Sequence, residues 1–320
     1  MADRVLFVDD EPNILSALER QFIDAPFATL TAPDGNAALA LLAAGPVSVI
    51  VTDNMMPGMT GIELLSRVRE QSPRTVRILL TGHADMNAAI RAINSGEVYK
   101  FLTKPWDQED LRTAINDGLQ KHRVTDSMQR ADEAMLRSLA QTIELKDPYT
   151  RGHCDRVAEY AVRLAKAAGL SADMQRCIRH GSWLHDCGKI GVPEAILNFK
   201  GPLEANDISI VKNHSQWGAE VARMANLPEA VINVIHYHHE RYDGAGYPAG
   251  LAGESIPIEA RIVAIADTFD ALTSDRPYRK GMVIDKGYEL MEQLRGSQLD
   301  PDLTRSFIAL MKDKAGAYSE

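Results

Sequence analysis

Residues 185–189 read His-Asp-Cys-Gly-Lys, and the second part of this chain is organised around that pentapeptide. An imidazole and a carboxylate on adjacent residues diverge from one backbone point. The carboxylate can therefore bridge two cations while the imidazole binds one of them. A single His-Asp pair is weak support for a metal site, because most such pairs are surface residues or a hydrogen-bonded core histidine. The interpretation depends on whether distant residues supply further ligands.

The sequence around the pentapeptide is helical in pattern and contains further candidate ligands. Amphipathic helices are predicted at Val157–Ala168, Met174–Leu184, Asn206–Met224, Glu229–Tyr237, Ala260–Thr273 and Ile284–Leu294. The candidate ligands in this region are His153, His185, Asp186, His214, His238, His239 and Asp267. Asp267 follows the apolar run Ile262–Ala266, where an unpaired carboxylate would be costly and a metal ion is the natural partner.

The ligand types indicate the chemistry of the site. His and Asp ligands without a thiolate suit Fe, Mn, Zn, Co or Ni, and only geometry separates these metals. With Asp186 as a bridge, the pattern predicts two ions about 3.5–4 Å apart, which lower the pKa of a water bound between them and stabilise phosphoryl charge. Lys189 lies one turn past His185, where it can neutralise a phosphate or assist the nucleophile. The alternative is a helical bundle with ordinary polar histidines.

The first part of the chain alternates short apolar runs with helical patterns. A helix is predicted at Glu11–Ile23, and the apolar runs are Val5–Val8, Val47–Thr52, Arg77–Leu80 and Val98–Leu102. This alternation is typical of a doubly wound parallel sheet with helices on both faces. The predicted fold class is therefore an α/β domain followed by an all-α helical bundle.

Polar side chains follow the predicted strands at their C-terminal ends, where ligands collect in parallel sheets. They are Asp9, Asp10, Asp53, Thr81 and Lys104. Three carboxylates at one pole repel one another unless a cation lies among them, and Mg²⁺ with oxygen ligands fits. A carboxylate beside such an ion can act as nucleophile toward a phosphoryl group. The alternative is that each acidic residue caps a helix or closes a loop.

Motifs at the same strand ends carry a family resemblance. They are Val-Asp-Asp-Glu (8–11), Thr-Asp-Asn-Met-Met-Pro-Gly-Met-Thr-Gly (52–61), Leu-Thr-Gly (80–82) and Leu-Thr-Lys-Pro (102–105). With them, residues 1–121 resemble a response-regulator receiver domain. The resemblance implies a cognate histidine kinase, Asp53 as phosphoacceptor, and Mg²⁺ binding by Asp9, Asp10 and Asp53. It also implies switch roles for Thr81, Lys104 and Tyr99, the last of which is alternatively a half-buried strand tyrosine without that role.

Between the two parts lies a proline-free stretch from Asp107 to Asp147. Its apolar positions are Leu111, Ile115, Leu119, Val124, Met128, Met135, Leu139 and Ile143. Read as one helix of about 37 residues, it would be roughly 55 Å long. Such a helix favours a homodimer through a coiled coil. A packed helix pair with a break near Val124 is the alternative. The predicted divisions are 1–121, a helical linker 122–144, and 145–320.

Four long motifs span the second part of the chain. They are Glu-Leu-Lys-Asp-Pro-Tyr-Thr-Arg-Gly-His (144–153), Leu-His-Asp-Cys-Gly-Lys-Ile-Gly-Val-Pro (184–193), His-His-Glu-Arg-Tyr-Asp-Gly-Ala-Gly-Tyr-Pro (238–248) and Ile-Ala-Asp-Thr-Phe-Asp-Ala-Leu-Thr-Ser-Asp-Arg-Pro-Tyr-Arg (265–279). Residues 141–307 thereby resemble the HD-GYP branch of the HD phosphohydrolases. The resemblance implies a phosphodiesterase that converts cyclic di-GMP to linear pGpG, with further cleavage to GMP left open.

The resemblance also implies roles for individual residues. One metal ion is assigned to His153, His185, Asp186 and Asp267. The second is assigned to Asp186, His214, His238 and His239. Catalytic roles are implied for His185, Asp186 and Lys189, and substrate-phosphate contacts for Lys189, Arg276 and Arg279. The signature loop Gly246-Tyr247-Pro248 lies beside the histidine pair in sequence, and the family links this loop to diguanylate-cyclase partner proteins.

One departure from the family pattern affects the expected metals and product. Some relatives place a glutamate four residues before the first histidine and assemble a third metal, but this chain has Tyr149 there. Two divalent ions are therefore expected, with Fe or Mn preferred over Zn, Co or Ni, and complete conversion to GMP is in doubt. Two further functions remain open. One is a sensor that binds a cyclic dinucleotide without hydrolysis, and the other is hydrolysis of another cyclic dinucleotide such as cyclic GMP-AMP.

Composition excludes several other classes of protein. The formal net charge is -9, and acidic residues outnumber basic ones on both sides of Val124, which argues against binding to DNA. The apolar stretch Ala37–Val51 is interrupted by Gly45-Pro46 and is too short to insert into a membrane. Three cysteines without CxxC spacing suggest neither a disulfide framework nor a zinc knuckle. The N-terminus lacks a signal-peptide pattern, so a cytoplasmic location is expected.

Overall fold

The computed structural model describes residues 3–82, 86–94, 96–146, 152–275 and 280–316, with the backbone alone described at 86–89 and 314–316. The chain divides into two compact units, Met1–Ala131 and Asp132–Glu320. The first is an α/β unit and the second is helical, so the predicted fold class is confirmed.

The first unit is built on a parallel sheet with the strand order β2-β1-β3-β4-β5. The strands are β1 Arg4–Val8, β2 Ala28–Ala32, β3 Val49–Asp53, β4 Val76–Thr81 and β5 Lys100–Thr103. The helices that alternate with them are α1 Pro12–Gln21, α2 Gly35–Ala44, α3 Gly61–Gln71 and α4 Met86–Asn94. Because all strands run in one direction, their C-terminal ends share one edge of the sheet.

Apolar cores cover both faces of this sheet. Successive strand residues point to opposite faces, so Ile50 packs in one core with Leu6 and Leu79, while Val49 and Val51 pack in the other. Burial on both faces explains why the central strands are continuous apolar runs rather than alternating ones.

Strand β2 was not singled out by the sequence pattern. Its residues, Ala-Thr-Leu-Thr-Ala, form the edge of the sheet next to β1. Most of them are only partly buried, so the strand lacks the apolar run that marks the central strands. Partial exposure of an edge strand removes the pattern on which the prediction relies.

The connector is one helix, α5, which runs from Gln108 to Lys146 over 39 residues. The prediction of a single long helix is confirmed, and the alternative with a break near Val124 is wrong. Near its start Leu111, Ile115 and Leu119 are buried in the core of the first unit. Further along, the large apolar residues that remain exposed are Val124, Met128, Met135, Leu139 and Leu145.

The second unit is helical throughout its regular elements. Its helices after α5 are α6 His153–Ala167, α7 Ala172–Leu184, α8 Glu194–Leu197, α9 Ala205–Lys212, α10 His214–Met224, α11 Glu229–Tyr237, α12 Ile258–Thr273, α13 Ile284–Leu294 and α14 Pro301–Gly316. A short 3-10 helix, Cys187–Gly191, follows α7. Helices α6, α7, α11 and α12 contribute Val157, Ile178, Val234, Ile262 and Phe269 to one core. Within the described ranges, no helix is both long enough and apolar enough to cross a membrane.

The single helix predicted at Asn206–Met224 is wrong, because the chain breaks at Asn213 into α9 and α10. The carbonyl oxygen of Val211 accepts a hydrogen bond from His214 Nδ1, and that of Lys212 accepts one from Ser215 Oγ. Side chains thus satisfy carbonyls at the end of α9 that backbone amides would bind in a continuous helix. The break makes His214 the first residue of α10.

Candidate active site

The strand ends of the first unit bring three carboxylates together. Ligand oxygens of Asp9, Asp10 and Asp53 lie within 4.8 Å of one another, and Asp9 and Asp53 are buried. Lys104 Nζ lies 3.1 Å from Asp9 Oδ2 and 2.9 Å from Asp53 Oδ1. One ammonium does not balance three carboxylates, and their oxygens are the ligands that Mg²⁺ prefers. The residues therefore fit the expected divalent ion.

Thr81 and Lys104 lie beside this cluster, at the C-terminal ends of β4 and β5, whereas Tyr99 directly precedes β5. Burial disfavours the charged form of Lys104, but hydrogen bonds to Asp53 and Asp9 raise its pKa overall. Thr81 is fully buried at the end of β4, and its Oγ1 donates to the carbonyl oxygen of Gly82 at 3.3 Å. Tyr99 is partly buried, with Lys121 Nζ of α5 4.2 Å from its ring centroid. Its switch role stays a prediction.

The second unit brings the seven predicted metal ligands into two adjoining groups. Within each group, one ligand atom per residue lies within 4.8 Å of the others. The first group is His153, His185 and Asp267, and the second is Asp186, His214, His238 and His239. Between the groups, His185 Nε2 lies 3.4 Å from Asp186 Oδ2. Asp186 therefore occupies the position of a ligand that two ions can share.

Helix ends explain how residues so far apart in sequence meet. His153 and His214 are the first residues of α6 and α10, while His185 and His238 are the C-caps of α7 and α11. The turn after His185 packs so tightly against α10 that a Cβ on Gly188 would overlap the His214 carbonyl oxygen. Glycine at this position allows Asp186 Oδ1 to lie 3.5 Å from His214 Nε2.

The buried imidazoles present their Nε2 lone pairs to the site. In His185, His214 and His238, Nδ1 donates to backbone carbonyls of Ser182, Val211 and Ile235 at 2.7–3.0 Å. His153 Nδ1 lies 2.7 Å from Asp270 Oδ2. A proton held on Nδ1 leaves Nε2 free to bind a metal, as in carboxylate–histidine–metal arrangements.

The inward-facing atoms fit a cation between them. His153 Nε2 and His185 Nε2 are 3.4 Å apart, as are His214 Nε2 and His238 Nε2. Two lone pairs at that distance repel one another, and Asp267 Oδ1, 3.3 Å from His153 Nε2, adds negative charge. A divalent ion in each group would satisfy these acceptors, and the donor set suits Fe, Mn, Zn, Co or Ni.

The surroundings of the second group keep its imidazoles neutral and its carboxylate ionised, which are the forms that bind a metal ion. Burial lowers the pKa of His214, and it lowers that of His239 to about 4. Burial and the neighbouring imidazoles hold the pKa of His238 well below its usual range. Burial opposes ionisation of Asp186, but the Lys189 ammonium holds its pKa well below the usual range, with Lys189 Nζ 2.7 Å from Asp186 Oδ2. Neutral imidazoles beside an ionised carboxylate are what metal binding requires.

The first group favours positive charge. Burial disfavours protonation of His153, but hydrogen bonds to Asp267 and Asp270 raise its pKa to about 10. The field that favours a proton here equally favours a metal cation.

Cys187 lies beside Asp186, but burial raises the pKa of its thiol to about 12, so this side chain stays protonated and offers no thiolate ligand.

Asp270 is a site residue to which sequence reasoning assigned no role. Its side chain is 2% exposed, and besides His153 it accepts from Arg156 Nε at 2.6 Å. Asp267, predicted to be the buried carboxylate of this helix, retains 21% exposure of its side chain. The two aspartates are three residues apart on α12, so they share one helix face. That spacing is the sequence signal that could have identified Asp270 as a supporting carboxylate.

The signature loop lies beside His239, as its sequence position suggested. The ring centroid of Tyr247 is 4.8 Å from that of His239, and Lys212 Nζ lies 5.0 Å from the Tyr247 centroid. Burial raises the pKa of Tyr247. A Cβ on Gly246 would overlap the backbone at Arg241, so glycine allows the loop to close, and Pro248 follows Tyr247 at an exposed position.

Glu240, which lies just beyond the end of α11, organises the same loop. Its carboxylate accepts hydrogen bonds from the backbone amides of Ala249, Gly250 and Leu251 at 2.7–3.1 Å.

Three residues named in the sequence analysis have no described position. Arg276 and Arg279, expected to bind substrate phosphate, lie outside the described residues, as does Tyr149.

Two family models match the chain. The response regulator receiver domain matches residues 5–116, and the HD domain, a metal-dependent phosphohydrolase fold, matches residues 137–303. A cyclic di-GMP phosphodiesterase of Thermotoga maritima is 30% identical over 98% of this chain and 92% of its own length. A cyclic di-GMP phosphodiesterase response regulator of Xanthomonas campestris pv. campestris is 34% identical over 87% of this chain and 78% of its own length. A 3′3′-cGAMP-specific phosphodiesterase of Vibrio cholerae is 35% identical over 56% of this chain and 38% of its own length.

Proposed function

Because this chain belongs to the response regulators in which a receiver domain is followed by an HD domain, we propose that it hydrolyses cyclic di-GMP to linear pGpG under control of receiver phosphorylation. The observation that carries the proposal is the pair of adjoining His/Asp groups with Asp186 between them and Lys189 against Asp186. Buried ligands in two groups suit hydrolysis of a phosphodiester, because a pair of metal ions can stabilise both the attacking and the leaving oxygen.

Two divalent ions, Fe or Mn by preference, would be held by the seven grouped ligands. His153, His185 and Asp267 would hold one ion, while His214, His238 and His239 would hold the other, with Asp186 shared. Bound there, such ions polarise phosphoryl oxygens and lower the pKa of a bound water. Every histidine with an Nδ1 partner is held in the tautomer that this role needs.

The chain's own charged groups bind and orient the phosphate. Lys189 offers an ammonium at the edge of the metal groups, where it can bind a non-bridging phosphoryl oxygen. Arg276 and Arg279 are proposed to grip the phosphates with forked guanidinium donors. Hydrolysis breaks one phosphorus–O3′ bond, adds water oxygen to phosphorus, and returns a proton to O3′. The product is a linear dinucleotide with a 5′-phosphate, and two metal ions favour stopping at this stage.

Control is proposed to come from the carboxylate cluster of the first unit. Asp53 would accept a phosphoryl group from a cognate histidine kinase, with Mg²⁺ held by Asp9, Asp10 and Asp53. Lys104 already contacts Asp53 and would neutralise the added charge. Thr81 and Tyr99 would respond as switch residues. Two partner interactions are proposed as well: a homodimer through the linker helix, and contact of loop 246–248 with a diguanylate-cyclase domain.

A second candidate substrate is 3′3′-cGAMP. Relatives specific for it match this chain at 34–38% identity, a range that includes the 34% of the cyclic di-GMP response regulator. The described site residues would hold metal ions and contact phosphate, and the two substrates carry the same phosphodiester linkages. The choice between guanine and adenine therefore depends on groups other than these ligands.

The test is turnover of cyclic di-GMP and 3′3′-cGAMP by the full chain after anaerobic reconstitution with Fe, Mn or Zn. Products would be resolved by chromatography, and we expect pGpG from cyclic di-GMP. The double variant His185→Ala, Asp186→Ala should lose bound metal and turnover. His236→Ala is the matched control, because this imidazole lies on α11 beside Arg223 rather than among the ligands. Metal-loaded wild-type protein that binds cyclic di-GMP without cleaving it would instead indicate a sensor.

A further inference from the structure

The last turn of α5 makes direct hydrogen bonds to two segments that carry the metal ligands. Glu144 is buried, and its carboxylate accepts from the backbone amides of Gly152 and Cys154 at 2.8 and 2.9 Å. These amides flank His153, the first residue of α6. A carboxylate is favourable at a helix N-terminus, where free amides and the helix dipole both attract it. Glu144 therefore holds the end of α6 from which His153 reaches the site.

Lys146, two residues further along α5, holds the turn that follows His185. Its ammonium donates to the carbonyl oxygens of Ile190 and Val192 at 2.6 and 2.7 Å, and lies 3.4 Å from that of Lys189. These residues form the end of the 3-10 helix that begins directly after Asp186. Hydrogen bonds from a charged donor are about twice as strong as neutral ones, so one side chain fixes the turn that presents Asp186 and Lys189.

Further contacts anchor the same end of α5 within the second unit. Arg137 makes two short hydrogen bonds to Asp155 of α6, and Asp155 also accepts from Trp183 Nε1 of α7. Ala140 packs in a small cluster with Cys154 and Trp183. The last turns of α5 are thus part of the packing around α6 and α7, and a shift of these turns acts on both helices.

We propose that Glu144 and Lys146 are positioning residues, through which the end of α5 sets the placement of His153 and of the Asp186–Lys189 turn. The proposal rests on the proposed function, since it assigns these two segments to one hydrolytic site. Helix α5 also contributes Leu111 and Ile115 to the core of the first unit. The helix that begins among receiver residues therefore ends on the segments that hold the candidate metal ligands.

The test compares variants that retain size while removing individual bonds. Lys146→Met keeps the side-chain stem and removes the donors, Lys146→Arg restores a cationic donor, and Glu144→Gln leaves one acceptor oxygen for two amides. Lys166→Met and Glu194→Gln are matched controls, because both side chains are exposed on helices α6 and α8. Each full-length variant is assayed for Co²⁺ affinity, for its Co²⁺ absorption spectrum, and for KM and kcat per bound metal on cyclic di-GMP.

We expect Lys146→Met to raise KM and to lower kcat/KM by about 10-fold to 100-fold, since small misplacements of a reacting group cost that much. Lys146→Arg should recover most of the loss. Glu144→Gln should weaken Co²⁺ binding by about 10-fold and change the absorption spectrum. Partial unfolding alone would reduce the active fraction without changing KM or the spectrum of the metal that is bound.

The outcomes separate this proposal from the proposed function. If wild type hydrolyses cyclic di-GMP and Lys146→Met has unchanged KM and kcat per metal, the positioning role is wrong and the activity stands. If wild type cleaves no cyclic dinucleotide, the proposed function is wrong, and Co²⁺ binding alone decides the positioning role. Wild-type Co²⁺ affinity and spectrum in Glu144→Gln would then overturn it.

Discussion

At the scale of single residues, the feature that most constrains the candidate site is the partner of each Nδ1 atom. The sequence identified the candidate imidazole and carboxylate ligands from their residue types, and the family resemblance implied how they would be grouped. They did not show which nitrogen faces the site, since that depends on carbonyls such as those of Ser182 and Val211. Asp270 remained without a role for the same reason. Its function becomes visible only when His153 and Arg156 are seen to converge on it.

The first prediction concerns that carboxylate. Asp270→Asn would replace one acceptor oxygen by an amide and weaken its hold on His153 Nδ1, while the buried volume changes little. Loss of such a supporting partner typically costs about 10-fold to 100-fold in metal affinity, and we expect that loss in a Mn²⁺ or Co²⁺ titration of the full chain. Asp302→Asn, at a side chain with 84% exposure, is the control. Equal affinity in both variants would show that Asp270 does not support the ligand.

At the scale of secondary-structure elements, the sequence predicted most helices of the second unit but joined α9 and α10 into one. Hydrophobic periodicity continues across Asn213, and the break depends on His214 and Ser215 binding carbonyls at the end of α9. Strand β2 was missed for the opposite reason, because an edge strand needs no apolar run. Both differences arise from contacts that periodicity does not encode.

A second prediction tests the close approach of the Cys187–Gly191 turn to α10. Gly188→Ala would place a methyl group against the His214 carbonyl oxygen and the backbone of Gly218, and neither can move without displacing α10. We expect a loss of about 2 kcal/mol or more in the free energy of unfolding, measured by urea titration, together with weaker metal binding. Gly82→Ala serves as the comparison, since among the described residues other than its chain neighbours no atom lies within 4 Å of its added Cβ. A fully stable Gly188→Ala protein would contradict this account of the turn.

At the scale of the whole molecule, two sites with different chemistry occur in one chain, and they can be inactivated separately. Asp53→Asn removes the predicted phosphoacceptor but leaves the His/Asp groups of the second unit intact. We expect this variant to lose labelling by acetyl phosphate and any response of the phosphodiesterase to that donor, while its basal turnover remains. The reciprocal variant, His185→Ala with Asp186→Ala, should keep the labelling and lose turnover. Labelling that survives in Asp53→Asn would identify another residue as the acceptor.

The last prediction concerns self-association through α5. Val124, Met128, Met135 and Leu139 are each 51–67% exposed, and at 3.6 residues per turn they fall within an arc of about 60° on one face of the helix. Arg137, Ala140 and Glu144, which contact α6 and α7, lie on the opposite face.

A continuous helix with an exposed apolar stripe of this length is typical of a parallel or antiparallel helix pair, so we predict a homodimer in sedimentation experiments. Met128→Glu with Met135→Glu would place like charges along the stripe and should shift the protein to monomer. Ser127→Glu with Gln129→Glu adds the same charge to either side of the stripe and should leave the dimer intact. A wild-type chain that sediments as a monomer at all concentrations would rule out this role for the stripe. The exposed methionines would then have to contact a partner other than a second copy of the chain.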